Sequence, residues 1–387
     1  MEERKKSLLT NFQEKYSIAA ENLKVAIAPG RVNLIGGHTD YNMGFVLPCA
    51  IDKDIMIAAA SNQTDMVNLY SLNLENSFSF SLKNLQLKAE DRWSNYAKGI
   101  CHYLMEEGYE IGGINGVLHG TVPIGSGMSS SAALEVSIGY IFQLLFNLDL
   151  SPLDLIKIAY RAEREFIGVM CGIMDQYVSV AGVDNSVIFI DCRSLEHEVI
   201  KMPRTDIQVV ILHTNVKRAA GSALNQRKNE CFEAVRLLQK ENPSITALRD
   251  VTIDYFEKLK EKLPPLLRKR AQHVIYENQR VIDAKNALKQ NDLETLGTLM
   301  YESHKSLAEL YEVSIKELDC MINIAKKVPG VIGSRMTGAG LGGAVVSLVE
   351  KDKVDDLISK VYFEYPRLTN KKPTTYVCKI SDGVREL

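Results

Sequence analysis

Several features that define other protein classes are missing from this sequence. Its seven cysteines are spread over 387 residues without a CxxC pair, which argues against a zinc site or a disulfide framework. Scattered cysteines are typical of buried thiols in the reducing cytoplasm, where disulfides are rare. No run of about 20 apolar residues occurs without charge, so we expect no membrane-spanning helix and no membrane partner. We therefore expect a cytoplasmic protein.

A strong charge of either sign is also missing. The 46 basic and 48 acidic residues give a formal net charge of −2, which does not indicate a surface for nucleic acid or an anionic membrane. The sequence contains no GxxxxGK[ST] motif and no HRD or DFG motif, which excludes P-loop proteins and protein kinases. What remains is an ordinary globular composition.

Strand-like segments dominate the beginning of the chain, and helical patterns become frequent later. Apolar or alternating runs predict strands at 23–30, 54–61, 66–72, 77–82, 113–122, 186–192 and 207–215. Apolar residues take helical spacing from Ser131 onward. Ser151 followed by Pro152 is typical of a helix start, and we predict that this helix continues to residue 168.

The order of these elements indicates the fold class. Long helical stretches at 221–240 and 267–290 dominate the second half of the chain. Strands and helices interleave without a strict βαβ repeat, so we predict an α+β fold. A chain of this length suits two domains, which we place at 1–200 and 201–387 with the active site in the cleft between them.

Three glycine-rich segments carry the chemistry that the sequence offers. They are APGRVNLIGGHTDY at 28–41, PIGSGMSSSAALE at 123–135 and RMTGAGLGGAV at 335–345. In the second segment, Gly125 and Gly127 allow the backbone to approach a triphosphate closely, just before a helix begins among serines. A helix start attracts anions through its free N–H groups and its dipole. The serine hydroxyls suit phosphate oxygens and magnesium.

An aspartate in apolar surroundings marks a second chemical feature. Asp175 lies in GIMDQ, beside Ile173 and Met174, where an unpaired charge would be costly. The fixed cation of Arg31 is its expected partner, and a purely structural salt bridge is the alternative. If both face a nucleotide, Asp175 would act as general base or orient a hydroxyl, and Arg31 would stabilise the charge on the transferred phosphoryl group.

In this order, the three segments resemble the GHMP family of small-molecule kinases, and the first is similar to the motif of galactokinases. The resemblance covers essentially the whole chain, including 270–281, 303–319 and 334–340. It implies the two-domain GHMP kinase fold and an ATP- and Mg²⁺-dependent sugar 1-kinase that makes an α-sugar 1-phosphate. The implied partners are a small-molecule sugar and ATP, and we expect a monomer or a weak homodimer.

The resemblance also implies where the nucleotide and the metal bind. A helical glutamate twelve residues before the catalytic aspartate holds magnesium in this family, which here is Glu163, with Ser130 and Ser131 as hydroxyl ligands. Glu165 is a weaker candidate because it lies on another helix face. The implied ATP-binding residues are Trp93, Gly125, Ser126, Gly127, Met128, Ser129, Ser130, Ser131, Ala132, Gly338 and Gly340.

The sugar pocket is where the chain departs from the galactokinase pattern. His38 and Asp40 match the residues that hold the sugar in that family, together with Asp175. However, Gly37 replaces the usual glutamate near the C6 hydroxyl, and Leu224 replaces the usual sugar-contacting tyrosine. An alternative is that Gly37 only eases a tight turn and that a water molecule restores the contact.

These two departures leave the identity of the sugar open. Galactose is the substrate implied by overall similarity. Galacturonate is the rival, because a glutamate at position 37 would repel a C6 carboxylate about 4 Å away by about 4 kcal/mol at an effective dielectric of 20. Lys217 and Arg218 could attract such a carboxylate. A non-catalytic sugar sensor, like certain galactokinase paralogues of yeasts, is a remote alternative because Ser130, Ser131 and Ala132 are retained.

Overall fold

The computed structural model describes residues 1–17, 23–123, 125–217 and 220–387, except for the side chains of 220–223. The α+β prediction is confirmed, since these residues form three β-sheets with helices packed around them. Short 3₁₀ turns lie at Asp40–Asn42, Ala89–Asp91, Leu248–Asp250, Lys260–Lys262 and Lys351–Lys353. No helix in the described residues is long and apolar enough to cross a membrane.

The largest sheet has six strands and carries the first glycine-rich segment. Its strands are β1 (Lys24–Asn33), β3 (Pro48–Ser61), β4 (Met66–Ser71), β5 (Asn76–Ser81), β6 (Ile114–Gly120) and β13 (Arg385–Glu386). They lie in the order β13-β1-β3-β6-β4-β5, and all neighbours are antiparallel except β4 and β6. Strand β1 continues past the predicted end at residue 30, which places Arg31 on the strand itself.

Five helices accompany this sheet. They are α1 (Glu2–Tyr16), α2 (Ser94–Glu106), α3 (Ser130–Phe146), α4 (Pro152–Arg161) and α5 (Met174–Ala181). Helix α3 packs on β1 and β3, which places its first turn beside Arg31. The predicted cap of α4 is confirmed, since the Ser151 hydroxyl accepts a hydrogen bond from Asp154 N. The predicted continuation to residue 168 is wrong, because α4 gives way to a π-helical turn at Ala162–Phe166.

Two further sheets complete the fold. A small sheet contains β2 (Phe45–Val46), β7 (Ser186–Asp191) and β8 (His197–Lys201). The third, in the order β10-β11-β9-β12, contains β9 (Ile207–His213), β10 (Val331–Thr337), β11 (Ala344–Glu350) and β12 (Thr374–Cys378). Around it lie α6 (Ala220–Gln239), α7 (Ile253–Leu259), α8 (Pro265–Lys289), α9 (Leu293–Glu309), α10 (Lys316–Ala325) and α11 (Val354–Thr369).

The hydrophobic core connects the two halves of the chain. One cluster of buried residues includes Ile57 and Leu34 from the first half and Val281 and Val346 from the second. A separate cluster fills the space between the four-stranded sheet and its helices. Strand β13 pairs with β1, so the end of the chain joins the sheet of the first half. The domain boundary near residue 200 stays a prediction.

Candidate active site

The loop after β1 is fixed by a long helix from the other half of the chain. The Glu277 carboxylate of α8 accepts hydrogen bonds from the backbone N–H groups of Gly36 and Gly37, both at 3.0 Å. Burial alone would raise the pKa of Glu277, but the charges of Arg280 and His273 hold it well below its usual range. His273 Nε2 also lies 2.9 Å from the Gly37 carbonyl oxygen. The loop therefore has a defined position.

Arg31 and Asp175, the pair expected from the sequence, meet at the end of β1 and the start of α5. Arg31 Nε lies 2.7 Å from Asp175 Oδ1, and Nη2 lies 2.5 Å from Oδ2. The remaining Arg31 nitrogen donates to the Gly127 carbonyl oxygen at 2.6 Å. Ser129 Oγ donates to Asp175 Oδ2 at 2.5 Å. A bidentate pair of this kind fixes both the position and the orientation of the carboxylate.

The second glycine-rich segment adopts the conformation that an anion-binding loop needs. Gly125 and Gly127 have φ values of +75° and +86°, where glycine is strongly favoured. Ser129 precedes the first residue of α3, but its hydroxyl does not cap the helix, because its backbone is left-handed (φ +60°) and not extended. The hydroxyl donates to Asp175. The start of α3 is therefore left to bind another acceptor.

The other residues of this segment hold the loop in place. Ser126 Oγ donates to the Pro123 carbonyl oxygen at 2.6 Å. The Met128 carbonyl oxygen accepts from Arg31 N at 3.1 Å, which joins the loop to β1. Met128 and Ala132 are fully buried. These contacts make Ser126, Met128 and Ala132 supports of the loop.

A cavity of about 220 Å³ opens beside the start of α3. Trp93 and Tyr96 line it together with Ser130 and Ser131, so three of the predicted nucleotide residues, Trp93, Ser130 and Ser131, lie around one space. The Trp93 indole N–H donates to Asn76 Oδ1 at 3.1 Å, which orients the ring. The cavity joins aromatic and apolar walls to hydroxyl groups, as a nucleoside with phosphates requires.

Acidic side chains cluster beneath the start of α3. Ser131 Oγ donates to Glu163 Oε1 at 2.8 Å. Gln176 Nε2 donates to Glu163 Oε2 at 2.6 Å and to Glu135 Oε2 at 2.9 Å. Burial raises the pKa of both glutamates. Glu165 is exposed and pairs with Arg161 at 3.3 Å, so it lies outside this cluster.

The donor set of this cluster fits a magnesium ion. Within the described parts of the chain, no group of three or more His, Cys, Asp or Glu residues could hold a metal. Magnesium does not need such a group, because it retains water and is held by one or two carboxylates with phosphate oxygens. Glu163 and Ser131 supply a buried carboxylate and a hydroxyl in contact with each other. Ser130 lines the adjoining cavity.

A second cavity, of about 280 Å³, joins the reacting pair to the predicted sugar residues. Its wall includes Arg31, Gly37, His38, Asp40, Glu163, Asp175, Leu224, Arg335 and Gly338. Residues from both halves of the chain therefore surround one space. Lys217 is exposed, and Arg218 lies outside the described residues.

The protonation of His38 and Asp40 is set by their surroundings. Burial, with the neighbouring charges of His273 and Arg335, lowers the pKa of His38 to about 3. Its Nδ1 lies 2.7 Å from the Tyr41 hydroxyl oxygen. Burial and the nearby charge of Asp175 raise the pKa of Asp40 to about 6. His38 is therefore neutral near pH 7, whereas Asp40 is a carboxylate that protonates in mild acid.

Because Gly37 has no side chain, Arg335 can lie beside it, a contact that the sequence did not reveal. A Cβ atom on Gly37 would lie 2.4 Å from Arg335 Nη2. Arg335 is almost fully buried, and its Nη1 donates to the Asn33 carbonyl oxygen at 2.9 Å. Burial lowers the pKa of Arg335 to about 10. The guanidinium thus occupies the position where a side chain at residue 37 would begin, and only its place at the start of the third segment hinted at this.

The third segment divides between two roles. Gly338 lines the larger cavity with the reacting pair. Gly340 has a φ of +80°, and a Cβ there would lie 2.3 Å from the Val313 carbonyl oxygen. Leu341 N donates to that same carbonyl oxygen at 2.7 Å. Gly340 thus permits a tight turn against Val313, and it lines neither cavity described above.

Three family models match separate parts of the chain. A galactokinase galactose-binding signature matches residues 10–61, a GHMP kinase N-terminal domain matches 95–183, and a GHMP kinase C-terminal domain matches 284–367. Galactokinase of Roseiflexus sp. is 41% identical over 97% of this chain and 96% of its own length. Galactokinase of Clostridium beijerinckii is 41% identical over 98% of both chains.

Solved structures agree with these sequence relationships. A crystal structure of Lactococcus lactis galactokinase complexed with galactose is 36% identical, with a TM-score of 0.94 over 98% of each chain. Methanococcus jannaschii mevalonate kinase, at 20% identity and a TM-score of 0.66 over 92% of this chain and 98% of its own, shares the fold. The fold is the GHMP kinase fold, and the protein is a phosphotransferase with an alcohol group as acceptor. The chain belongs to the galactokinase family.

Proposed function

We propose that this protein transfers the terminal phosphoryl group of ATP to the anomeric hydroxyl of galactose and forms α-galactose 1-phosphate. Galactose is the substrate because the relatives named above are galactokinases and one of them is a complex with galactose. None of them favours galacturonate, so the departures at Gly37 and Leu224 are treated as variation within a galactose pocket. The observation that carries the proposal is the contact of Arg31 with Asp175 in a cavity that both halves of the chain line.

In this proposal, Asp175 orients the anomeric hydroxyl and accepts its proton as the new bond forms. Both of its oxygens are held by Arg31, and Oδ2 also accepts from Ser129. A carboxylate fixed in this way presents its remaining lone pairs in a constant direction. Arg31 touches both Asp175 and the Gly127 carbonyl oxygen of the second glycine-rich segment, so its charge lies where negative charge develops during transfer.

The nucleotide phosphates would lie at the start of α3, against the backbone of 125–131 and Gly338, with the adenine in the cavity beside Trp93. Glu163, Ser131 and Ser130 would hold Mg²⁺. When bound, this cation neutralises charge on the phosphate oxygens. The protein supplies the geometry, because Ser131 and Glu163 already contact each other at 2.8 Å.

The sugar would bind between the reacting pair and the loop that carries His38. Neutral His38 and ionised Asp40 offer a mixed set of donor and acceptor groups to sugar hydroxyls. Arg335 adds a donor beside Gly37, and Leu224 adds apolar surface. We further propose a cytoplasmic enzyme, since the cysteines of the described residues form no disulfide. We also propose that it works as a monomer or a weak homodimer.

A coupled ADP-release screen tests this function directly. Purified protein with ATP and Mg²⁺ would be given galactose, galacturonate, N-acetylgalactosamine, glucose, arabinose or fucose. We expect the highest kcat/KM with galactose, and phosphorus NMR of the product should identify an anomeric phosphate. A higher kcat/KM with galacturonate would contradict the sugar assignment. Nucleotide binding without ADP release on any sugar would contradict the kinase assignment and support a sensor.

A further inference from the structure

Glu135 is a buried acid that the proposed mechanism does not use. It lies on α3, one turn after Ser131, and none of its surface is exposed. Its Oε2 accepts from Gln176 Nε2 at 2.9 Å. Among the described residues, its other oxygen has no hydrogen-bond partner. A buried acid with an unpaired oxygen costs stability, so its presence at this position calls for a functional explanation.

The partner of Glu135 also holds the proposed metal ligand. The same Gln176 nitrogen donates to Glu163 Oε2 at 2.6 Å, and Gln176 is fully buried directly after Asp175 in the chain. A carboxylate accepts hydrogen bonds through both of its oxygens, and the amide turns its NH₂ group toward the two acids. One amide therefore joins Glu135 to Glu163.

The orientation of Glu163 depends on these contacts. Gln176 donates a hydrogen bond to Oε2, while Ser131, at the start of α3, donates to Oε1. Without an acceptor at position 135, the Gln176 amide loses one of its two anchors and can rotate. Glu163 would then lose the contact that fixes its second oxygen. Groups of this kind, one shell away from a metal, orient the ligand and raise its affinity.

We infer that Glu135 is a positioning residue, which holds the Gln176 amide and thereby keeps Glu163 oriented for the divalent cation. This inference rests on the proposed function, because it assumes that the cation binds at Glu163. It assigns to Glu135 the role of a hydrogen-bond acceptor, and no negative charge is required for that role. A residue that only stabilised the fold would affect unfolding without changing the cation requirement.

Two substitutions at position 135 test whether a hydrogen-bond acceptor is required there. Glu135→Gln retains a carbonyl oxygen that can accept from Gln176, whereas Glu135→Met keeps the length of the side chain and removes the acceptor. Ser137→Ala is the matched control, since Ser137 is buried on the same helix and donates to the Leu134 carbonyl oxygen at 2.9 Å. The Mg²⁺ concentration for half-maximal ADP release and kcat at saturating Mg²⁺ are measured for each variant.

We expect Glu135→Met to raise the half-maximal Mg²⁺ concentration about tenfold with little change in kcat. Glu135→Gln and Ser137→Ala should match the unsubstituted protein. Cation binding in the absence of turnover is measured separately, as the rise in Tm when Mg²⁺ is added to protein with ADP but no sugar. We expect this rise to need more Mg²⁺ in Glu135→Met only. An unchanged Mg²⁺ requirement in Glu135→Met would overturn the inference. Equal impairment in Glu135→Gln would also overturn it, because charge would then be the property required.

The same contact can be removed from its other side. Gln176→Met should raise the Mg²⁺ requirement, and the double variant with Glu135→Met should raise it no further than the larger single effect. Additive effects would overturn the inference, and Glu135→Leu, which also lacks an acceptor, replaces Glu135→Met if that variant does not fold. If the unsubstituted protein needs no divalent cation, the proposed metal site itself fails. If the unsubstituted protein needs Mg²⁺, and Glu135→Met and Gln176→Met have the same Mg²⁺ requirement as that protein, only the role of Glu135 fails.

Discussion

The two ends of the larger cavity differ in charge, and the difference indicates what each end binds. At the phosphate end, Asp175 is paired with Arg31, but Glu163 lies buried with hydrogen bonds from Ser131 and Gln176. Burial and the charge of Asp175 raise the pKa of Glu163. We propose that a metal bound with nucleotide phosphates supplies a cation at this end.

At the sugar end, charges of both signs lie close together within the protein. Arg335 and Arg280 are positive and Glu277 and Asp40 are negative near pH 7, whereas His38 and His273 are neutral because burial lowers their pKa values. Such surroundings suit a ligand that carries no net charge. The comparison agrees with our proposal that the charged nucleotide binds at one end and the neutral sugar at the other, and substitutions at the two ends should then have different effects.

Breaking the reacting pair should have the largest effect. Asp175→Asn removes the base and Arg31→Ala removes the cation at the site of developing charge, so we expect kcat to fall by about 10³-fold or more. The measurement is ADP release at saturating galactose, with thermal unfolding as the control for folding. Near-normal rates in folded variants would remove both residues from the chemistry.

Removing the buried carboxylate at the phosphate end should come next. Glu163→Gln keeps the shape of the side chain but removes the charge that attracts the cation, so the half-maximal Mg²⁺ concentration should rise by about 100-fold. Glu165→Gln is the matched control, because Glu165 is exposed two residues later. If both variants titrate like the unsubstituted protein, another group holds the metal.

The pH dependence of sugar use should report Asp40. Because its pKa is raised to about 6, the carboxylate protonates below that value, and kcat/KM for galactose should fall about tenfold per pH unit. The same raised pKa gives the folded protein a stability contribution that is present below about pH 4 and lost as pH rises through about 6. Activity and this contribution to stability therefore change in opposite directions.

Asp40→Asn provides the control for this pH effect. The variant should have weaker sugar binding at pH 7 but no loss of kcat/KM assigned to this group between pH 7 and 5. His38 should not contribute in that range, since its pKa is lowered to about 3. A slope that persists in Asp40→Asn would assign the titration to another group.

The smallest effect is expected at Gly37. In Gly37→Ala, the added Cβ would lie 2.4 Å from Arg335 Nη2, so the guanidinium must move. We expect KM for galactose to rise about fivefold, because a displaced hydrogen-bond donor is worth about 1 kcal/mol, while kcat stays the same. Initial rates over a range of galactose concentrations separate the two constants. An unchanged KM would show that Arg335 does not contact the sugar.

The sequence alone was sufficient where local chemistry determines the structure. The Ser151–Pro152 cap of α4 follows from rules that act within one turn of helix, and the start of α3 follows from the helical spacing of its apolar residues. The meeting of Arg31 with Asp175 was also expected, although 144 residues separate them. Burying the Asp175 charge without a partner would be costly, and this cost, together with the resemblance, indicated Arg31 as the partner.

Contacts between distant elements could not be foreseen from local patterns. Arg335 reaches Gly37 across about 300 positions of the chain, and neither residue type predicts that contact. Gln176 donates hydrogen bonds to both Glu135 and Glu163, and these contacts depend on how three helical segments pack. The π-helical turn was missed because helical periodicity continues through it in the sequence.

That π-helical turn has a consequence for how this segment tolerates change. Within Ala162–Phe166, Ile167 N bonds to the carbonyl oxygen of Ala162, five positions back, where an α-helix would use four. The wider turn accommodates one additional amino acid in the stretch that carries Glu163. A single-codon deletion between residues 164 and 166 would remove this additional amino acid, and the chain would then continue as a regular α-helix. A change of one residue in length should therefore be better tolerated in this turn than in the regular turns of α4, where it would rotate every following side chain by about 100°.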